Sequence, residues 1–336
     1  MRFRLVIHLC NSVLIAMMVV CVSAFSLSAQ EKLEKMRVGY SAHAGALAPI
    51  WITKESGSFR KYGLDVDLVF ISGGPTTAAA LISGEVQVAT VGGPAVVASN
   101  LGGSDMVLIG GIVNKFAFQV VTLDVITTPS QLKGKKVGVN RLGASPDVAA
   151  RYALKHMRIN ERDVTILALG SQSARLAAMK SGNLDAAIFL PPITNLALKE
   201  GMRVLLDMSQ LDIDFQITSL GSTQRFLKTK RASSLKFMRA FVDGIHFYKT
   251  HRKESMAIIA KYMRTNDMEA VGATYDFFAQ TILPKKPYPS LKGVQAILDL
   301  MAETRPEAKG VSPERFVNIS ALKELDKAGF IDRLYQ

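Results

Sequence analysis

Two sets of small and polar residues recur along this chain in a pattern that suits noncovalent capture of a small ligand. The first set is Ser41, His43 and Gly45, then Gly73, Gly74 and Thr76, then Gly92 and Gly93. The second is Asn140, Arg141, Gly143 and Ser145, then Ser171, Gln172 and Ser173, then Pro191. Glycine lets backbone N–H groups approach a ligand closely, and Pro75-Thr76-Thr77 can open a helix whose free N–H groups favour anions. The guanidinium of Arg141 suits a carboxylate, sulfonate or phosphate. Plainer roles exist for each. Gly73-Gly74 and Gly92-Gly93 also fit simple turns, Ser173 and Thr77 fit helix caps, His43 fits a hydrogen-bonded structural residue, and Arg141 fits a solvated loop charge.

Covalent and metal chemistry find little support. His246 and His251 are five residues apart, so they do not share a helix face, and the other histidines are isolated; no zinc-ligand spacing results. Gly170-Ser171-Gln172-Ser173-Ala174 lacks the final glycine of a nucleophile elbow, and no phosphate-binding P-loop is present. Both cysteines, Cys10 and Cys21, fall in an apolar N-terminal run, which leaves no thiol elsewhere for a disulfide, a metal or a nucleophile. Neither a cofactor nor a metal is expected. The excess of 41 basic over 28 acidic residues is scattered. Its denser groups, Lys133, Lys135 and Lys136 and then Lys228, Lys230 and Arg231, sit in turns without interleaved aromatics. Nucleic acid is therefore not an expected partner, while the sign favours anionic ligands or an anionic membrane surface.

What would position the two sets is an internal repeat. Val38-Gly39-Tyr40 followed by Leu81-Ile82-Ser83-Gly84-Glu85-Val86 recurs as Val137-Gly138-Val139 followed by Met179-Lys180-Ser181-Gly182-Asn183-Leu184. In that register the strand-like runs 66–71 and 164–169 match, as do 106–109 and 203–206. Helical patterns at 49–61 and 148–157, then 77–82 and 175–180, separate them. Strands alternating with short helices argue for a mostly parallel sheet in each half. In open parallel sheets ligands bind beyond the carboxyl ends of the strands, where both residue sets lie. Two related lobes imply a cleft between them.

The remaining chain reads as export signal and helical support. Arg2 and Arg4, an apolar run from Leu5 to Val22 and small residues up to Ala29 have the order of a secretory signal, predicted to end at residue 29. An uncleaved anchor is the alternative, with His8, Asn11 and Ser12 against it. The first lobe is expected at 36–116 with 221–336 and the second at 117–220. Amphipathic helices are predicted at 233–250, 252–263, 267–280, 291–304 and 319–328, the last ending on Gly329.

Four local sequences carry a family resemblance: Ser56-Gly57-Ser58-Phe59-Arg60-Lys61-Tyr62-Gly63-Leu64-Asp65-Val66, Ala80-Leu81-Ile82-Ser83-Gly84-Glu85-Val86, Leu132-Lys133-Gly134-Lys135-Lys136-Val137-Gly138-Val139, and Leu322-Lys323-Glu324-Leu325-Asp326-Lys327-Ala328-Gly329-Phe330-Ile331-Asp332. Together they resemble the periplasmic solute-binding proteins of ABC importers in the nitrate/sulfonate/taurine group, which includes thiamine-precursor-binding relatives (SsuA/THI5-like, NMT1-like). The resemblance implies an α/β fold of two-lobed periplasmic binding protein type (a type II clamshell), each lobe a mostly parallel sheet flanked by helices, with two crossover strands as hinge. It further implies a periplasmic monomer that takes a small-molecule ligand to an inner-membrane ABC permease and its ATPase. Two rivals share the fold: an enzyme related to thiamine-pyrimidine synthesis, which depends on a cysteine-rich segment absent here, and a periplasmic ligand sensor.

Overall fold

The computed structural model describes residues 32–336. The expected signal segment 1–29, with its cleavage point and both cysteines, lies outside the described residues. From Glu34 onward the chain forms one compact unit.

The repeat is visible in the pairing of the strands. The first sheet has the order β2-β1-β3-β10-β4, with β1 at Glu34–Tyr40, β2 at Leu64–Phe70, β3 at Val88–Val91, β4 at Met106–Lys115 and β10 at Asp214–Thr223. The second has the order β7-β6-β8-β5-β9, with β5 at Gln119–Thr122, β6 at Lys136–Val139, β7 at Thr165–Ala168, β8 at Ala186–Phe189 and β9 at Arg203–Asp207. Substituting β6, β7, β8, β9 and β5 for β1, β2, β3, β4 and β10 converts one order into the other. The parallel core of each sheet is its first three strands, and β3 and β8 are buried along their whole length, as their apolar sequences VATV and AAIF require. The fourth position in each sheet is an antiparallel strand lent by the other half of the chain: β5 follows β4 directly, and β10 follows β9. These two crossings are the connections between lobes. Pairing of β10 from Asp214 onward brings the chain back to the first sheet ahead of the expected boundary at residue 220.

Helices cover the sheets near the predicted positions. Those between the strands are α1 (Ala48–Glu55), α2 (Gly74–Ser83), α3 (Gly93–Leu101), α4 (Ser145–His156), α5 (Gln172–Lys180) and α6 (Ile193–Lys199). The predicted helix 49–61 is broken at Gly57, whose φ of 80° is open to glycine at little cost, and a short helical turn at Ser58–Lys61 follows. The C-terminal helices α7 (Arg231–Thr250), α8 (Arg252–Met263), α9 (Met268–Tyr275), α10 (Leu291–Ala302) and α11 (Ser320–Lys327) return to the first lobe. There α7 packs on α1 and on the Ser58–Lys61 turn, with the Phe59 and Phe237 rings 5.4 Å apart. Asp243, nearly buried, accepts from Ser58 Oγ at 2.7 Å and Lys61 Nζ at 2.6 Å. The carboxylate of Asp243 is tolerated at this seam because the hydroxyl of Ser58 and the exposed ammonium of Lys61 both donate to it. Gly329, at φ 67°, closes α11 as the sequence predicts. Among the described residues no helix is long and apolar enough to cross a membrane.

Candidate functional site

The carboxyl ends of the parallel strands in both sheets meet around one cavity of about 90 Å³. Ser41, His43, Phe70, Ser72, Gly74 and Gly92 come to it from the first lobe. Asn140, Ser145, Ser171, Gln172, Arg175 and Leu190 come from the second, while Phe118, Ile217 and Thr218 lie on the crossing segments. Among the described residues no aspartate or glutamate lines it. Four helices start here: α2 opens at Gly74, α3 is capped by Gly92, α4 opens at Ser145 and α5 is capped by Ser171. Their partial positive N-termini, in a lining without carboxylates, make the cavity favourable to negative charge.

The second lobe supplies hydrogen-bond donors. Ser171 Oγ accepts from the Ala174 N–H at 3.1 Å, which fixes the first turn of α5. Gln172 Oε1 accepts from the Leu190 N–H at 2.7 Å, and its Nε2 is buried without a partner. Asn140 Oδ1 accepts from the Arg141 N–H at 2.8 Å, so its amide N–H₂ remains as the donor. With one lone pair of each oxygen taken by a backbone N–H, the free groups of these two amides are chiefly N–H donors.

Arg175 is the dominant charge of the site. It is 1% exposed, on the first turn of α5, and it donates from Nη1 to the Gly170 carbonyl at 2.6 Å and from Nη2 to the Ile188 carbonyl at 3.1 Å. Its Nε–H has no partner, and no carboxylate pairs with it among the described residues. Burial pulls its pKa down to about 10, which still leaves a cation at neutral pH. The neighbouring strand makes room for it: a Cβ on Gly138 would stand 3.2 Å from Arg175 Cδ and 2.5 Å from Leu184 Cδ2. A desolvated guanidinium without a counter-ion is costly in isolation, and an anion in the cavity removes most of that cost.

The first lobe supplies an aromatic wall, the hydroxyls of Ser41 and Ser72, and an imidazole. His43 packs on Phe70 with ring centroids 4.4 Å apart and edge-on to Tyr40 at 5.5 Å. Trp51 stacks on Tyr262 at 5.0 Å behind them. His43 Nδ1 lies 3.1 Å from the Tyr262 carbonyl, an atom that can only accept, so Nδ1 carries the proton. Burial lowers the pKa of His43, and the charge of Arg264 acts in the same direction, so the ring is neutral at pH 7.

Of the loop residues expected at the site, Ser41, His43, Gly74, Gly92, Asn140, Ser145, Ser171 and Gln172 line the cavity. Gly45, Gly73, Thr76, Gly93, Arg141, Gly143, Ser173 and Pro191 do not. Gly45 is held against Phe278, Gly93 against the Gln216 carbonyl, and Pro191 is buried, whereas Thr76, Gly143 and Ser173 face solvent. Arg141 is exposed at the rim, where its side chain lies over the bare backbone of Gly73 in the opposite lobe. The buried cation is Arg175 instead. Sequence reading places that residue only as a helix start, although matching Ser83-Gly84 with Ser181-Gly182 sets it opposite Thr77. Thr77 is also buried and also bonds to the carbonyls at the end of the preceding strand, Ile71 at 3.0 Å and Gly73 at 2.9 Å. A threonine-to-arginine difference at that repeat position is the signal that was available.

The lobes touch across the cleft. Ser145 Oγ donates to the Ile217 carbonyl at 2.8 Å, Lys199 pairs with Asp267 and Glu269 at 3.3 and 2.9 Å, and Lys155 pairs with Glu303. Gly92 sits so near Ser145 that a Cβ there would collide with its hydroxyl. Gly92 has φ −71° and ψ 139°, which alanine adopts freely, so Gly92→Ala is expected to act as a wedge between lobes rather than as a folding defect. Calorimetry should show affinity for a bound solute falling about tenfold, with a larger radius of gyration by scattering and an unchanged Tm without solute. Wild-type affinity in this variant would mean that the Gly92–Ser145 approach has no part in closure.

Comparison with known proteins agrees with this architecture. A binding protein of Brucella abortus is 27% identical over 235 residues, which is 69% of this chain and 72% of its own length. The nitrate-binding protein NrtA from Synechocystis superposes with a TM-score of 0.75 at 14% identity, covering 88% of this chain and 89% of its own. The alkanesulfonate-binding protein SsuA from Xanthomonas axonopodis superposes with a TM-score of 0.71 at 20% identity, covering 85% and 99%. This is the periplasmic binding protein fold that the family resemblance implies. The model of NMT1/THI5-like proteins matches residues 45–255, well over half of the chain, and the protein belongs to that family.

Proposed function

We propose that this chain is the extracytoplasmic solute-binding component of an ABC importer, which holds a small anion between its lobes and presents it to an inner-membrane permease. The observation that carries this reading is Arg175, a buried cation that, among the described residues, has no carboxylate partner, in the wall of a cavity that no described carboxylate lines. Four helix N-termini and the spare amides of Asn140 and Gln172 act in the same direction. Relatives named for nitrate and alkanesulfonate binding support the class of solute. A binding rather than catalytic role fits the lining, in which, among the described residues, no serine is bonded to His43. This reading puts the anion seat at Arg175 rather than at Arg141.

A thermal-shift comparison of small anions with neutral isosteres tests this. Nitrate, short carboxylates and short alkanesulfonates are expected to include members that raise Tm, whereas the matching amides and sulfonamides do not. A solute at about a hundred times its Kd adds roughly 2.7 kcal/mol, a readily measured shift. Equal stabilisation by neutral isosteres would overturn the anion assignment, and recovery of chemically altered solute would overturn the binding-only role.

A further inference from the structure

We infer that the solute carries, besides its anionic group, a hydrogen-bond donor such as a hydroxyl or N–H that is received by Nε2 of His43. The inference rests on the anion reading above and specifies the other end of the same molecule.

The cavity is polarised. On the second-lobe side, the amides of Asn140 and Gln172 have their oxygens committed to the Arg141 and Leu190 N–H groups, and Arg175 has no acceptor atom at all. That side carries most of the cavity's donors, alongside the hydroxyls of Ser145 and Ser171. On the first-lobe side, Nδ1 of His43 gives its proton to the Tyr262 carbonyl, so the neutral ring presents Nε2 as a lone-pair acceptor. Among the described residues nothing donates to Nε2, although His43 lines the cavity. The ring is not free to turn away, since it is packed between Phe70 and Tyr40 and tethered at Nδ1. A solute with acceptors at both ends would set its own lone pairs against that nitrogen, and an apolar end would leave the nitrogen desolvated and unpaired. Either mismatch is penalised in a closed site. The cavity, about 90 Å³, favours a compact solute over an extended one.

The probes are ω-hydroxy carboxylates and ω-hydroxyalkanesulfonates of two to five carbons, each compared with the analogue in which a methyl group replaces the hydroxyl. At pH 8 the hydroxy member of the best-fitting pair is expected to bind about tenfold or more tightly than its methyl isostere. In His43→Phe, which keeps the aromatic packing, that ratio should collapse to about unity while the alkyl anion still binds. His43→Gln, which restores an acceptor, should recover part of the preference. Equal binding of the two members by wild type, or a hydroxyl preference that survives in His43→Phe, would overturn the inference and leave the anion seat standing. Failure of every probe pair, with other anions still bound, would also overturn it. Binding of neutral isosteres as tightly as anions would instead remove the anion reading on which it rests.

Discussion

Arg175→Met is expected to bind the stabilising anions about a hundredfold more weakly than wild type, a loss of roughly 3 kcal/mol. Methionine fills much of the space of the arginine stem beside Gly138 but removes the only buried positive charge that the described residues bring to the lining. Part of the effect is structural, because the Gly170 and Ile188 carbonyls lose their donors. Each unmet carbonyl costs about 1–3 kcal/mol of stability if water cannot reach it. Calorimetric affinity and urea denaturation measured on the same preparation separate the two consequences. Arg175→Lys, which keeps the charge without the planar fork, should fall between wild type and methionine in affinity. Arg141→Ala should remain within about twofold of wild type, because its guanidinium lies at the solvated rim. A folded Arg175→Met protein with undiminished affinity would remove Arg175 from the site.

The largest effect on stability is expected at Gly244, which does not line the cavity. This glycine is where α7 comes closest to α1: a Cβ would stand 2.7 Å from Thr53 Cβ and 2.8 Å from Thr53 Cα, and closer still to its hydroxyl. Thr53 cannot retreat, being fully buried and bonded through Oγ1 to the Pro49 carbonyl at 2.7 Å. Gly244→Ala must therefore separate two helix backbones, and the loss should be about 3 kcal/mol despite the better helix propensity of alanine. Gly272→Ala is the matched comparison. Its Cβ would meet only the flexible ends of Met256 and Arg252, at 3.4 and 3.5 Å, so the propensity gain of up to about 1 kcal/mol should appear as stabilisation. Opposite signs for one substitution at two helical glycines would identify helix–helix distance as the cause. Equal signs would count against it.

Much of the fold is legible in the sequence because its information is local and is given twice. The Ser-Gly turns before β3 and β8 lie at matched offsets, and the small residues after each strand mark the cavity face, as Ser41, Gly74, Gly92 and Asn140 do. Residues whose roles depend on distant partners are not legible in the same way. Arg175 becomes a site residue only through the missing Cβ of Gly138 and the carbonyl of Ile188, on two different strands. Gly45 looks like a ligand-approach glycine but serves packing against α9 and Phe278. The position of β10 left no mark in composition, since its run suits either sheet; only its pairing with β3 and β4 assigns it.

The exchange of strands between the sheets also sets an order of assembly. All five strands of the second sheet lie within residues 119–207, so that sheet can be completed from one continuous stretch as the chain emerges. The first sheet cannot. Its β3 and β4 appear early, yet the strand that joins them is drawn from 214–223, after the whole second lobe. Until then both carry unpaired edges, and joining them requires contacts of high sequence separation, which form slowly. A nascent chain that stops before Asp214 is thus expected to hold a finished second lobe beside an unfinished first one. The interval between those two events is when chaperones and proteases have the most to recognise.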